Sequence, residues 1–149
     1  MIIREATKND RDIIVSFQLA MAQETESLQL DKPTVEKGVS AVLEGPSKGR
    51  YFLAESEGEV IGSMMITYEW SDWRNGTVYW IQSVFVDPDH RNNGAFKSLY
   101  NHVKGKVEAS PDIAGLRLYV DMTNENAQKV YRQLGMDGDH YKVFEWMRE

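Results

Sequence analysis

The sequence predicts a single α/β domain with elements in the order β-α-α-β-β-β-α-β-α-β. Three observations carry this. Apolar residues recur at helical spacing in four separate stretches. Two hairpin signals, Glu57-Gly58 and Asn75-Gly76, separate three β-rich runs in the middle of the chain. From Trp80 to Tyr100 (WIQSVFVDPDHRNNGAFKSLY) an apolar β-rich run meets a polar loop and then a helical pattern. With 149 residues the chain can bury a real core, and one domain spanning 1–149 is the default expectation. The sequence holds no repeat, low-complexity stretch or linker.

Ile2 to Arg4 reads as the first strand. Asn9 or Asp10 caps a helix running to about Ser27, with Ile13, Ile14, Phe17, Ala20 and Met21 on its apolar face. Glu24 continues that face, seven residues past Phe17; Glu26 does not. Pro33 suits the first turn of a second helix, whose face is Val35, Val39, Val42 and Leu43, and Gly45-Pro46 ends it. Tyr51 to Ala54 and Val60 to Tyr68 form a hairpin. Trp70 to Arg74 is a connection, and Thr77 to Val86 is the long returning strand. Phe96, Leu99, Tyr100, Val103 and Val107 mark the third helix, broken at Ser110-Pro111-Asp112. Leu116 to Val120 is a strand. Asn124 caps a fourth helix with Ala127, Val130, Tyr131 and Leu134 inward, and Gly135 stands where a stop belongs. A final strand pair spans 139–147.

Composition excludes several chemistries. There is no cysteine, so disulfides, thiolate zinc sites and cysteine nucleophiles are ruled out. His90, His102 and His140 show no metal-ligand spacing. No apolar run reaches membrane-spanning length, and the N-terminus lacks a signal-peptide layout. A soluble cytoplasmic protein with no membrane partner is the simplest expectation. The net charge of -6 and absence of a dense Lys/Arg cluster argue against nucleic acid and favour a cationic small-molecule or peptide partner.

The loop after Val86 suits a phosphate. A first helical turn leaves its N–H donors unpaired, at the positive end of the macrodipole. Gly94 allows close backbone approach, because no Cβ stands in the way, and Arg91 adds a positive charge. A nucleotide P-loop is excluded by the missing Gly-Lys-Ser/Thr, and a dinucleotide fold by the missing Gly-x-Gly-x-x-Gly.

Two segments carry a family resemblance. One is Arg91-Asn92-Asn93-Gly94-Ala95-Phe96, after the fourth strand. The other is Asn124-x-x-Ala127, then Tyr131, then Gly135. In this order and about thirty residues apart they resemble the GNAT acetyltransferase superfamily, which moves acetyl from acetyl-CoA to an amine. The resemblance implies a mixed, mostly antiparallel sheet of six or seven strands flanked by about four helices, with the fourth and fifth strands splayed to admit a thioester. It implies that the N–H groups of Asn92, Asn93, Gly94, Ala95 and Phe96 hold the coenzyme A pyrophosphate, with Arg91 flanking. Val84, Phe85 and Val86 would pair with the pantetheine arm, and Asn124 and Tyr131 would lie near the sulfur. Phe96 departs from the family's Gly/Ala, and its side chain must turn into the helix–sheet contact.

The expected chemistry is direct attack of a primary amine on the thioester in a ternary complex. An amine of pKa near ~10.4 is mostly protonated at pH 7, whereas a thiol near ~8.5 leaves readily. Removing the amine proton is therefore the larger requirement. Tyr131 is the expected acid toward the sulfur. The expected bases are fewer. Gln82 and Ser83 occupy the place where the family often puts a Glu, and neither is a base at neutral pH, although Gln82 can orient a water. Glu24 is the better carboxylate. Glu26, Asp31 and Glu69 read as solvated, Trp70 and Trp73 as cleft-lining or rim residues, and Asp121 as a strand-end or capping residue. No metal is required. A homodimer is compatible with the family. A second reading is a non-catalytic acyl-CoA-binding regulatory module, supported by Gln82 standing where a carboxylate is common. A third, a generic α/β interaction domain, predicts no coenzyme binding.

Overall fold

The computed structural model describes residues 1–149, which divide into two compact units, Met1–Arg117 and Leu118–Glu149. The first unit holds β1 (Ile2–Glu5), α1 (Arg11–Glu26), α2 (Lys32–Leu43), β2 (Arg50–Ser56), β3 (Glu59–Ser71), β4 (Gly76–Val86), α3 (Ala95–Ala109) and β5 (Ile113–Arg117). The second holds α4 (Glu125–Gln133). Short 3-10 turns at Lys8–Asp10 and Pro88–His90 lead toward α1 and α3.

The sheet order is β1-β2-β3-β4-β5. Neighbours from β1 to β4 run antiparallel, and β5 joins β4 in parallel. The mixed, mostly antiparallel character is as expected, with five strands in place of six or seven. The expected strand pair at 139–147 falls in the second unit, where no strand is assigned. A strand exists through the ladder it makes, and a unit with one helix offers no ladder of its own. The fifth strand also shifts: it begins at Ile113, not Leu116, because Ile113 and Gly115 to Arg117 are the residues registered against Thr77 to Trp80.

Alternation along β2 divides the core between two faces. Tyr51 and Leu53 point toward α1 and α2 and cluster with Ile14, Val15, Val39 and Met65. Phe52 points the other way, where its ring lies 5.4 Å from that of His102 on α3. Phe52, Met64, Ile66, Leu99 and Val103 are fully buried. Each such side chain contributes about 1.5–3 kcal/mol of burial.

Local chemistry sets the joints. Glu57 and Gly58 both have positive φ (52° and 79°), as a two-residue hairpin of this hand requires. The second hairpin is wider than expected. Trp70 and Ser71 extend β3, the loop is Asp72–Asn75, and Gly76 opens β4. A Cβ on Gly76 would stand 3.0 Å from the Asp112 carbonyl oxygen, so this glycine serves the close passage of the chain entering β5.

Candidate active site

β4 carries the first element of the site. Its register with β3 slips between Ser63/Phe85 and Met65/Gln82, where two steps on β3 face three on β4. The extra residue is a bulge, and Ser83 takes a left-handed conformation there, with φ 52°. β5 pairs with β4 only from Thr77 to Trp80. From Ile81 to Val86, the stretch containing the bulge, β4 has no ladder with β5, which ends at Arg117. The sequence signals the strand but not the bulge, because a single serine in an apolar run has no distinguishing pattern.

The chain then turns sharply. The Asp87 N–H donates to the Ile61 carbonyl at 2.8 Å, and the Asp87 carboxylate accepts from the Asp89 N–H at 2.9 Å. Asn92 and Gly94 both have left-handed backbones (φ 65° and 82°). Gly94 is the N-cap of α3, and no side chain caps that helix. A Cβ built on Gly94 meets nothing within 4 Å, so the space above it is open. Ala95 is buried at 2% exposure, which a larger side chain would disturb. Phe96 is half-buried with its ring 6.2 Å from Tyr100, one turn along the helix. The result is an uncapped helix start opening onto free space, the arrangement that receives anions.

Arg91 is engaged differently from the expectation. Its two terminal nitrogens bind the two oxygens of Glu24 at 2.7 and 2.9 Å. Its Nε donates to the Val86 carbonyl at 2.9 Å, and its guanidinium carbon lies 5.6 Å from the centre of the Phe85 ring. Glu24, expected on the inner face of α1, is instead exposed and reaches this guanidinium, which holds its carboxyl below the usual range. A carboxylate with both oxygens so engaged is a poor proton acceptor.

Gln82 is partly buried, and its Oε1 accepts from the Thr67 hydroxyl at 3.0 Å. Along the same face of β3 and β4, Glu69 accepts from the Trp80 indole at 2.7 Å and pairs with Arg117 at 2.8 Å. These contacts hold the Glu69 carboxyl below its ordinary value, the indole hydrogen bond contributing most. The fit of Glu69 to Trp80 and Arg117 gives it a structural role. Trp70 and Trp73 are exposed. The depression lined by Glu5, Leu43, Gly45, Arg50 and Tyr51 contains no residue of β4 or of the loop after it.

The second unit holds the other predicted residues. Asn124 caps α4, its Oδ1 accepting the Ala127 N–H at 3.1 Å. Tyr131 is half-buried on α4, and burial raises its phenol above the usual value, so it stays protonated at neutral pH. Gly135 has φ 92°, and the Met136 N–H returns to the Tyr131 carbonyl at 3.0 Å, closing the helix in the manner glycine permits. Asp121 binds the Thr123 N–H and hydroxyl and leaves the α4 cap to Asn124.

Fold and junction together are those of the acetyltransferase (GNAT) class of domain. The chain belongs to the acetyltransferase (GNAT) family, whose family model matches residues 17–136. It is similar to a possible acetyltransferase from Clostridium difficile 630, with 41% identity, a TM-score of 0.93, and coverage of 99% of this chain and 97% of that one. It shares its fold with a probable acetyltransferase at 20% identity and TM-score 0.87, covering 100% and 99% of the two chains. A predicted acetyltransferase from Clostridium acetobutylicum, solved with acetyl-CoA, has the same fold at 16% identity and TM-score 0.76, covering 97% and 95%. No curated protein matches the chain.

Proposed function

We propose that this protein is an N-acetyltransferase that moves the acetyl group of acetyl-CoA to a primary amine of a small molecule or peptide. The observation that carries the reading is the β4–α3 junction: a bulged strand followed by Gly94 with φ 82° at the head of an uncapped helix. The N–H groups of Asn92 to Phe96 would hold the diphosphate, and the backbone of Val84 to Val86 would pair with the pantetheine arm. The acetyl-CoA in the Clostridium acetobutylicum relative supports the choice of cosubstrate. The family match at 17–136 draws on both compact units, which supports one catalytic domain over 1–149.

In the proposed reaction the amine nitrogen forms a bond to the acetyl carbon, the carbon–sulfur bond breaks, and the thiolate leaves. Tyr131, a protonated phenol, gives its proton to the sulfur and is reprotonated from solvent, which also receives the amine proton. The amine proton passes to water oriented by Gln82, whose Oε1 also accepts from the Thr67 hydroxyl. Glu24 acts on Arg91 and not on the acceptor. Asn124 shapes the start of α4. Holding amine and thioester together supplies the main rate gain, worth roughly 7–11 kcal/mol in well-oriented cases. The chemistry asks for no metal. No helix is long and apolar enough to cross a membrane. A cytoplasmic location, an acceptor other than nucleic acid, and a homodimer are parts of the same proposal.

A second reading, an acyl-CoA-binding module without catalysis, is favoured by one observation: Glu24 is held by Arg91, and Gln82 stands on β4 where a carboxylate would serve as base. Thiol release from acetyl-CoA in the presence of a panel of amines separates the two. Acceptor-dependent release establishes the transferase; tight coenzyme binding with no release under any acceptor establishes the module.

A further inference from the structure

We propose that Glu24 is an internal counter-ion which the coenzyme's diphosphate must displace from Arg91, so that cosubstrate binding releases the last turn of α1. The inference rests on the acetyltransferase reading above and names a control on that same cradle.

Three observations support it. First, Arg91 stands next to the residues that would bind the diphosphate, yet Glu24 spans both of its terminal nitrogens, at 2.7 and 2.9 Å. The guanidinium is neutralised where a free positive charge would serve the ligand best. Second, both partners are partly open to solvent, with side-chain exposures of 38% for Arg91 and 45% for Glu24. Such a pair is weak enough to yield to an anion of higher charge that also gains backbone N–H donors. Third, Glu24 lies in the last turn of α1, where a carboxylate opposes the macrodipole, and no basic residue of that turn offsets it. Arg91 supplies the missing charge from the loop. Once the diphosphate takes Arg91, the end of α1 keeps only its backbone closure, the Ser27 N–H to the Gln23 carbonyl and the Leu28 N–H to the Ala22 carbonyl, both at 3.2 Å, and loses the side-chain tether to the loop. By linkage, whatever loosens that turn strengthens coenzyme binding.

The Nε contact to Val86 and the stacking on Phe85 do not involve Glu24 and can persist during the exchange. The guanidinium is a rigid planar fork, so Arg91 keeps its place while Glu24 withdraws and leaves both terminal nitrogens to the diphosphate. Glu24 is a positioning residue in this scheme, acting on the ligand through Arg91.

The test is calorimetric titration with coenzyme A at low salt on the wild type, Glu24→Gln, Arg91→Gln and the double variant, each checked for folding by circular dichroism. Hydrogen exchange of residues 20–31 is followed with and without coenzyme A. The expected result is that Glu24→Gln binds ~3–10-fold more tightly, Arg91→Gln binds more weakly, and the double variant gains nothing over Arg91→Gln. Amides at the end of α1 should exchange faster when coenzyme A binds the wild type, and should already be fast in free Glu24→Gln. A purely structural pair would give equal or weaker binding in Glu24→Gln, or no ligand effect on exchange, and either result overturns the proposal. Failure of the wild type to bind coenzyme A at all would instead remove the acetyltransferase reading, and this inference with it.

Discussion

The Thr67 hydroxyl donates to the Gln82 Oε1 at 3.0 Å, and this orients the Gln82 amide beside the β4 bulge. The amide can hold a water through its NH2 group or through the second lone pair of its oxygen, and it does not itself take up a proton at neutral pH. In the proposed reaction the amine proton therefore leaves through water. Replacing Gln82 by Glu keeps an acceptor for Thr67 and adds a base. We expect Gln82→Glu to raise turnover at neutral pH by about tenfold, with a new acidic limb in the pH–rate profile. An unchanged profile would remove Gln82 from the proton path.

In the proposed reaction Tyr131 acts at the opposite end. Its phenol stays protonated because burial raises its pKa. Since the thiolate is already a good leaving group, the gain is modest for a general acid. Tyr131→Phe should lower kcat by about 10–100-fold while leaving acetyl-CoA affinity intact. Steady-state kinetics together with direct binding would separate these effects; equal turnover would take Tyr131 out of the mechanism.

Gly94 makes a separable prediction about shape. Packing leaves room for a Cβ, so the cost of Gly94→Ala is conformational, set by φ 82°. That cost is about 1–2 kcal/mol, seen as a fall in Tm of about 2–8 °C. The added methyl group also enters the space in front of the helix start, so KM for acetyl-CoA should rise. A variant with normal Tm and normal KM would mean that the loop does not hold this backbone in solution.

Acid should expose the Arg4–Asp10 pair. Arg4 binds both oxygens of Asp10 at 2.8 Å, and the Thr7 N–H adds a bond at 2.7 Å, so the Asp10 carboxyl titrates below its ordinary value, chiefly through Arg4. A depressed carboxylate stabilises the fold fully above its unfolded pKa of about 3.9 and loses that contribution as pH falls through the lower folded value. Asp10→Asn should lose about 1–2 kcal/mol at pH 7 by urea denaturation and much less at pH 3. A penalty that does not change with pH would show that charge is not what Asp10 supplies.

Much of this was legible in the sequence because it is local. The Asn124 cap, the Glu57-Gly58 turn and the Gly94 helix start are each written within a few residues, whereas Asp10, expected to cap α1, makes no side-chain cap there and gives its carboxylate to Arg4 and the Thr7 N–H. What the sequence missed depends on distant partners. Glu24 and Arg91 are 67 residues apart, and no periodicity announces their pairing. Asn75-Gly76 reads as a tight turn, but Gly76 answers to the Asp112 carbonyl across the sheet. The bulge at Ser83 is a matter of register between strands, which no single strand encodes. The fifth strand slid toward Ile113 for the same reason, its limits being set by Thr77 to Trp80 on β4.

The central claim is that backbone N–H groups at the start of α3 receive the coenzyme's diphosphate. An amide-resolved NMR titration of labelled protein with coenzyme A tests it most directly. We predict saturable, one-to-one shifts centred on the amides of Asn93, Gly94, Ala95 and Phe96. Saturation that leaves those four amides unmoved, or no saturation at millimolar coenzyme A, would contradict the account.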